Sequence, residues 1–511
     1  MKNLFFTILG LFSAFAVSAQ LVNDGGTIVV ENGATLFIES NLSNNTVGPD
    51  VGSILVQGTG IIEVQGDVTN AGTFTMSNTS KLVFSGTNAA NVTSGGATFT
   101  NVEMDKTTED VTLLDNMTIS NDLNFIGDDN KLVLGSNDLN LGVNATITSA
   151  DDNEYVQADG TGVVSKEMDA NAIFTYEIGD ASNYSPLQAD VTGSAYTGAA
   201  LDVNVVAMVH PDVPAEATDF INRYWNVNQT GISDFDATLT GTYVSADLET
   251  GSDAMLVKGA FYNGMDWSYE GTSNGANTVI GSISENGDFT GTNSFGKIAL
   301  TVFLEGAYSG GTMTTTLNSS NLIPLTSPYA DGATVASIPA DVVDWIEVEV
   351  RDQGNASSIL SANSAFLRND GVILDLSGNP IVSLINAPSN GYIGINHRNH
   401  LSINSASALS LMGGVTHDFS TGLGQAYDDP AIVNNDAMID LGSGVYGLFR
   451  GDVNTNNGIN FIDAAIARNG SSPIQSNVYS ELDVNMNGGV NFIDAAITKS
   501  AATPIKSAHV Q

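Results

Sequence analysis

Asp452-Val453-Asn454-Thr455-Asn456-Asn457-Gly458-Ile459-Asn460-Phe461-Ile462-Asp463 is answered 31 residues later by Asp483-Val484-Asn485-Met486-Asn487-Gly488-Gly489-Val490-Asn491-Phe492-Ile493-Asp494. Oxygen-bearing side chains recur at the same offsets: Asp452, Asn454, Asn456, Asn460 and Asp463 in the first copy, Asp483, Asn485, Asn487, Asn491 and Asp494 in the second. A hard cation such as Ca2+ takes roughly six to eight oxygens, and a calcium loop supplies them from positions 1, 3, 5, 7, 9 and 12, position 7 through its backbone carbonyl. Position 7 is Gly458 in one copy and Gly489 in the other. The reading is a duplicated calcium loop. Asn, Asp and Gly also populate turns for their own backbone reasons, but turn chemistry alone predicts neither the period-2 spacing nor the terminal carboxylate. The heptapeptide Asn460–Ile466 returns unchanged as Asn491–Ile497. At position 6, where such loops turn sharply on a glycine, the copies have Asn457 and Gly488; Asn tolerates the left-handed conformation this position needs.

The pair resembles a dockerin domain, a small calcium-folded module of two loop–helix repeats that docks onto a cohesin partner. In that family a helix follows each loop, and here Phe461 to Arg468 and Phe492 to Ser500 are alanine-containing stretches closed by Asn469-Gly470 and by Thr503-Pro504. The resemblance implies calcium ligands at the ten side chains named above. It also implies partner contacts at loop positions 10 and 11, Phe461-Ile462 and Phe492-Ile493. These pairs are apolar where the best-known cellulosomal dockerins have Ser or Thr. Two readings of them stand: a docking surface, or the internal core of a module folded against its neighbour.

Working outward, residues 1–19 carry Lys2, an apolar run from Leu4 to Val17 and the ending Val17-Ser18-Ala19 before Gln20. This reads as a secretory signal peptide, which predicts an exported protein, secreted or on a bacterial cell surface. No later stretch approaches the roughly 18 apolar residues that span a bilayer. The chain has no cysteine, which excludes disulfides, Cys-ligated zinc and a thiol nucleophile. Its 15 basic and 56 acidic residues give a formal net charge of −41, so nucleic acid is not an expected partner, since phosphate binding depends on Lys and Arg displacing counterions. A length of 511 residues allows several domains.

From Gly26 to about Ser149, strands such as Ala34–Ile38, Gly60–Val64, Lys81–Phe84 and Lys131–Leu134 recur at short intervals between Asn, Asp and Gly. Strands this short are best satisfied by stacking coil on coil, which predicts a β-solenoid; a β-sandwich could show the same strands. The phrases Ser40–Asn44, Gly66–Asn70 and Ser120–Asn124 fit a coil-turn position where Asn can ladder. The segment resembles the right-handed β-helical stretches of large bacterial adhesins. From about Asp151 to Glu305 aromatics rise, and alternation around Trp225 and Trp267 predicts a β-sandwich; Trp267, Tyr262 and Tyr269 read as core in preference to a sugar-stacking platform. Roughly residues 300–511 look like a terminal module of secreted Gram-negative surface proteins that leads into a dockerin-like repeat.

The expected fold is therefore mainly β and multidomain. It comprises a signal peptide (1–19), β-solenoid-like repeats (20–150), a β-sandwich (151–305), a β-rich surface-protein module (306–448) and a small helical, calcium-binding, dockerin-like domain (449–511). His397 and His400, three apart, should face opposite sides of a strand and not share an ion. No catalytic motif stands out, and no catalytic residue is assigned. The leading functional reading is a secreted, calcium-binding, non-catalytic adhesin-like or scaffold protein with a cohesin-like or other cell-surface partner, with extracellular polysaccharide as a further candidate ligand. The alternative is a dockerin-bearing polysaccharide-degrading enzyme, a β-helix lyase or glycoside hydrolase. Against a lyase, residues 20–150 hold only Lys81, Lys106 and Lys131 as basic residues.

Overall fold

The structure is a computed structural model that describes residues 20–214, 217–269, 271–273, 276–411 and 414–510. The expected signal peptide, residues 1–19, lies outside the described residues. The protein is mainly β, with 48% strand and 7% helix, and divides into two compact units between Asn293 and Ser294. Among the described residues no helix is long and apolar enough to cross a membrane.

The first unit begins as a β-solenoid. Successive strands pair in parallel: Leu21 with Leu42, Leu42 with Val68 and Ala90 with Val111, so a coil takes 21 to 26 residues. Alternate side chains point inward and stack on their counterparts one coil away. One such row runs Ile38, Val64, Phe84, Met104, Phe125, all buried. The expected Asn ladder is present at two of the three phrases. Asn23 Nδ2 donates to Asn44 Oδ1 at 2.8 Å, Asn44 Nδ2 to Asn70 Oδ1 at 2.8 Å and Asn70 Nδ2 to the Ser94 carbonyl at 2.8 Å. An amide both donates and accepts, so it repeats without leaving a buried polar group unpaired. Asn124 lies instead on the strand Met117–Phe125, where Thr148 Oγ1 donates to it.

The solenoid does not stop at residue 150, where the sequence suggested a boundary. The parallel strand Leu139–Leu141 pairs with Val164–Met168, which continues antiparallel into Ala195–Val206 and Phe220–Ser233. A second antiparallel sheet contains Leu187–Thr192, Asp236–Thr242 and Thr278–Ile283. The two sheets face each other across Trp225, which is fully buried as expected: a Cβ at Gly241 would lie 2.7 Å from its ring. Coil interior and sheet core form one apolar cluster, which is why packing is unbroken there.

In the second unit the central strand Val342–Asp352 pairs antiparallel with Ile359–Arg368 on one side and Asn390–His397 on the other, and His400–Asn404 follows through a tight hairpin. Trp345 and Phe366 meet at 4.4 Å in its core. The strand Phe295–Thr301 pairs with Val382–Ile385 and Val415–Asp418. Its hydrogen bonds therefore place it in this unit, and the division falls before the boundary expected at 305. Nor does packing break at 448: Leu448 and Met486 join the same apolar cluster.

Candidate metal centres and docking face

Each loop is organised by its first carboxylate. Asp452 Oδ1 and Oδ2 accept the Asn456 and Asn457 amides at 3.1 and 2.9 Å; Asp483 accepts those of Asn487 and Gly488 at 3.1 and 2.8 Å. Asn454 Oδ1 and Asn485 Oδ1 each accept the amide two residues on at 3.2 Å. Position 6 is left-handed in both copies, with φ of 62° at Asn457 and 83° at Gly488.

Each loop ends by starting a helix, Phe461–Gly470 or Phe492–Ala501. Asn460 Oδ1 accepts the Ile462 amide at 2.8 Å while Asp463 Oδ2 accepts the Asn460 amide at 3.0 Å, a reciprocal cap that the second copy repeats with Asn491, Ile493 and Asp494 at the same distances. This uses one oxygen of each position-12 carboxylate. The other, Asp463 Oδ1 or Asp494 Oδ1, is buried and has no hydrogen-bond partner. A buried carboxylate oxygen without a donor is costly unless a cation meets it. Burial pushes the Asp452 carboxyl up to about 6 despite its two amide donors, and raises Asp483 and Asp494 as well. The donor set thus fits a divalent cation. Among the described residues no three His, Cys, Asp or Glu side chains group as metal ligands, so an ion here relies on amide and carbonyl oxygens beside two carboxylates. Gly458 and Gly489 sit at position 7 on short strands paired with Ser507 and Ser476.

The position 10 and 11 pairs lie on the first turn of each helix and point outward: Phe461, Ile462, Phe492 and Ile493 are 65%, 59%, 64% and 60% exposed. Their alternative reading as internal core is overturned. The helix faces turned inward carry Asp463 and Ala467, or Asp494 and Thr498, leaving these large side chains on the solvent side.

The histidine expectation needs correction. His397 and His400 face each other across the hairpin, with their Nδ1 atoms 2.9 Å apart, because Arg398 and Asn399 form a turn and the segment is not one strand. His400 Nε2 accepts the Gly306 amide at 3.1 Å, so its proton is on Nδ1, shared between His397 Nδ1 and Asn399 Oδ1; His397 Nε2 then donates to Asp344 at 3.2 Å. Burial lowers both imidazole pKa values, keeping the rings neutral. The pair is a buried hydrogen-bond relay. Asp344 is its hub, also accepting from Arg398 Nε at 2.9 Å and Tyr479 Oη at 2.7 Å. Burial alone would raise its pKa, but Arg398, His397 and Tyr479 outweigh that and hold it at about 2. Sequence reading missed this cluster: its members lie up to 135 residues apart and no spacing signals it.

In the first unit Trp267 and Tyr262 are half-buried, and Tyr269 is buried. Trp267 stacks on Tyr269 and meets Tyr262 and His210 at 5.1 and 5.0 Å, so these rings pack on one another.

No curated protein and no solved structure matches the chain. Residues 450–501 match the family model for the dockerin type I domain, a span that contains both loops, both helices and both exposed apolar pairs. The chain therefore carries a dockerin type I domain at residues 450–501, near its C-terminus, on a mainly β body that begins as a solenoid.

Proposed function

We propose that this is an exported, non-catalytic surface or scaffold protein whose dockerin domain binds two calcium ions and attaches the β-rich body to a cohesin-like partner. The observation that carries the reading is the pairing, twice over, of an unpartnered buried carboxylate oxygen at loop position 12 with an exposed Phe-Ile step at positions 10 and 11. Dockerin domains bind calcium and cohesins and occur in extracellular proteins, which agrees with it. The ligands are Asp452, Asn454, Asn456, the Gly458 carbonyl, Asn460 and Asp463, and their counterparts Asp483, Asn485, Asn487, the Gly489 carbonyl, Asn491 and Asp494. Two carboxylates per loop just match the ion's charge. Affinity rises with ligand charge, so with only two carboxylates per loop dissociation constants of roughly 10⁻⁴–10⁻³ M are expected, filled by millimolar calcium outside a cell.

Docking through Phe461-Ile462 and Phe492-Ile493 requires a partner with apolar pockets. The non-catalytic reading is supported by the three lysines of residues 20–150, all engaged in the fold. Lys81 pairs with Glu103 at 2.7 Å, Lys106 donates to the Ser85 and Gln65 carbonyls at 2.8 and 3.1 Å, and Lys131 lies over the Tyr155 ring. The test is calcium titration calorimetry on the full chain followed by capture of cohesin domains. Two bound ions are expected, with one lost in Asp463→Ala and the other in Asp494→Ala. Replacing all four Phe and Ile residues by Ser should abolish capture and spare calcium binding. Absence of bound calcium, or capture indifferent to the four replacements, refutes the proposal.

A further inference from the structure

The two loops share a ligand set but differ at positions 4, 6 and 8, and at the first two the structure gives a reason. At position 4, Thr455 is exposed whereas Met486 is buried in the core cluster of the β-rich body. At position 6, Asn457 is exposed, whereas Gly488 is buried and a Cβ there would lie 2.7 Å from Leu322 Cδ1. The second loop is inserted into the body at two of the three positions where the repeat departs from itself; at the third, position 8, Ile459 and Val490 are both buried. Its entry is held as well. Asn399 Nδ2, at the tip of the histidine hairpin, donates to the carbonyls of Asp483 at 2.9 Å and Glu481 at 3.1 Å, and Arg398 bonds the Ser480 carbonyl and lies over the Tyr479 ring. Toward the first repeat Asn399 offers its backbone carbonyl, which accepts the Gly451 amide. The first loop is bordered by the chain's last residues, with the Ala508 amide on the Asn457 carbonyl and Ser507 paired with Gly458.

We propose that the second loop is at once an ion loop and an internal docking element, with Asn399, Met486 and Gly488 as its positioning residues, so that the two calcium ions are inequivalent. The inference rests on the calcium reading above. A loop already fixed by the body has less ordering entropy to lose when the ion arrives, so it binds more tightly. By linkage, the ion at the second loop tightens its seat on the hairpin by the same factor. The ion at the first loop lacks this coupling.

Full-chain calorimetry tests it. Asp463→Ala retains the ion at the second loop and Asp494→Ala the ion at the first; the former should bind about tenfold tighter, within the span of typical couplings. Met486→Thr with Gly488→Asn gives the second loop the residues that the first already combines with the same ligands. This change, or Asn399→Ala, should erase the difference in the Asp463→Ala background and leave the Asp494→Ala background unchanged. A measurement on the unmodified chain guards against misfolded variants. In chelator, the amides of Asn487 and Gly488 should exchange hydrogen more slowly than those of Asn456 and Asn457, although all four make equivalent bonds to Asp483 or Asp452. Equal affinities, equal exchange, or variants that weaken both sites alike overturn the inference while leaving the calcium reading intact. No calcium bound at either loop overturns both.

Discussion

Glu154 shows how burial sets the behaviour of a single side chain. It is buried near Asp151, Asp128, Asp105 and Asp129, and burial first, then these charges, raise its carboxyl to about 7 from an ordinary 4.5. Asn130 Nδ2 donates to its Oε1 at 3.0 Å. A carboxyl whose folded pKa is raised contributes stability that is full below the unfolded value and lost as pH rises through the folded one. Glu154→Gln keeps the acceptor and removes the charge. Its melting temperature should equal that of the parent near pH 4 and exceed it at pH 8, with the gain opening between about pH 4.5 and pH 7. A parallel offset at all pH values would show that charge is not the cause. Arg223 is the opposite case, fully buried between Asp180 at 2.6 Å and Asp247 at 2.8 Å. Arg223→Met leaves two acids facing each other without their cation and should cost on the order of 3–5 kcal/mol in denaturant unfolding. Neither site was legible in the sequence, because a burial partner from another strand leaves no mark on local spacing. The residues of the proposed calcium loops were legible, since all the oxygens assigned to one ion lie within twelve positions of chain.

At the scale of elements, the solenoid is held by rows that each pass from coil to coil. Asn44 accepts from Asn23 and donates to Asn70 Oδ1 and, at 3.0 Å, to the Thr73 carbonyl. Asn44→Ala strands these groups in the interior and should destabilise the first unit by about 2 kcal/mol or more, whereas Asn91→Ala, at an exposed position, should cost little. Urea melts of the two variants separate the effect of the buried ladder from that of an exposed amide. Each coil contacts chiefly its neighbours, so deleting residues 90–110, one repeat by the pairing of Ala90 with Val111, brings Leu82 and Phe84 opposite Leu123 and Phe125. Cooperative melting should survive. Collapse of the antiparallel sheets after Ala172 would instead mean that the shared core does not tolerate a shorter stack. Short alternating strands and repeated Asn phrases made the coils readable. Where the coils give way to antiparallel sheets was not readable, because the strand Val164–Met168 is parallel to one neighbour and antiparallel to the other, and either pairing suits its alternation.

For the whole molecule, calcium should act on one unit alone. Both loops belong to the unit after Asn293, so calorimetric scans in calcium and in chelator should shift one transition and leave the other in place. The shift corresponds to about 2.7 kcal/mol per site at a calcium concentration a hundred times the dissociation constant. A shift of both transitions by the same amount would contradict it. What the sequence by itself determined is whatever lies close along the chain: the spacing of oxygen-bearing side chains in the two dockerin loops, the helices after them, the strand alternation and the Asn rows. These depend on hydrogen bonds and periodicities spanning a few residues. Only the tertiary structure decided that His397 and His400 meet across a turn, that Phe461 and Phe492 stay in solvent, that the sheets run on through residue 150, and that Met486 and Gly488 seat one loop in the body while Thr455 and Asn457 leave the other open. Each of these depends on which distant backbone comes within a few ångströms, and that is set by strand register and chain closure across the unit, to which no local spacing responds.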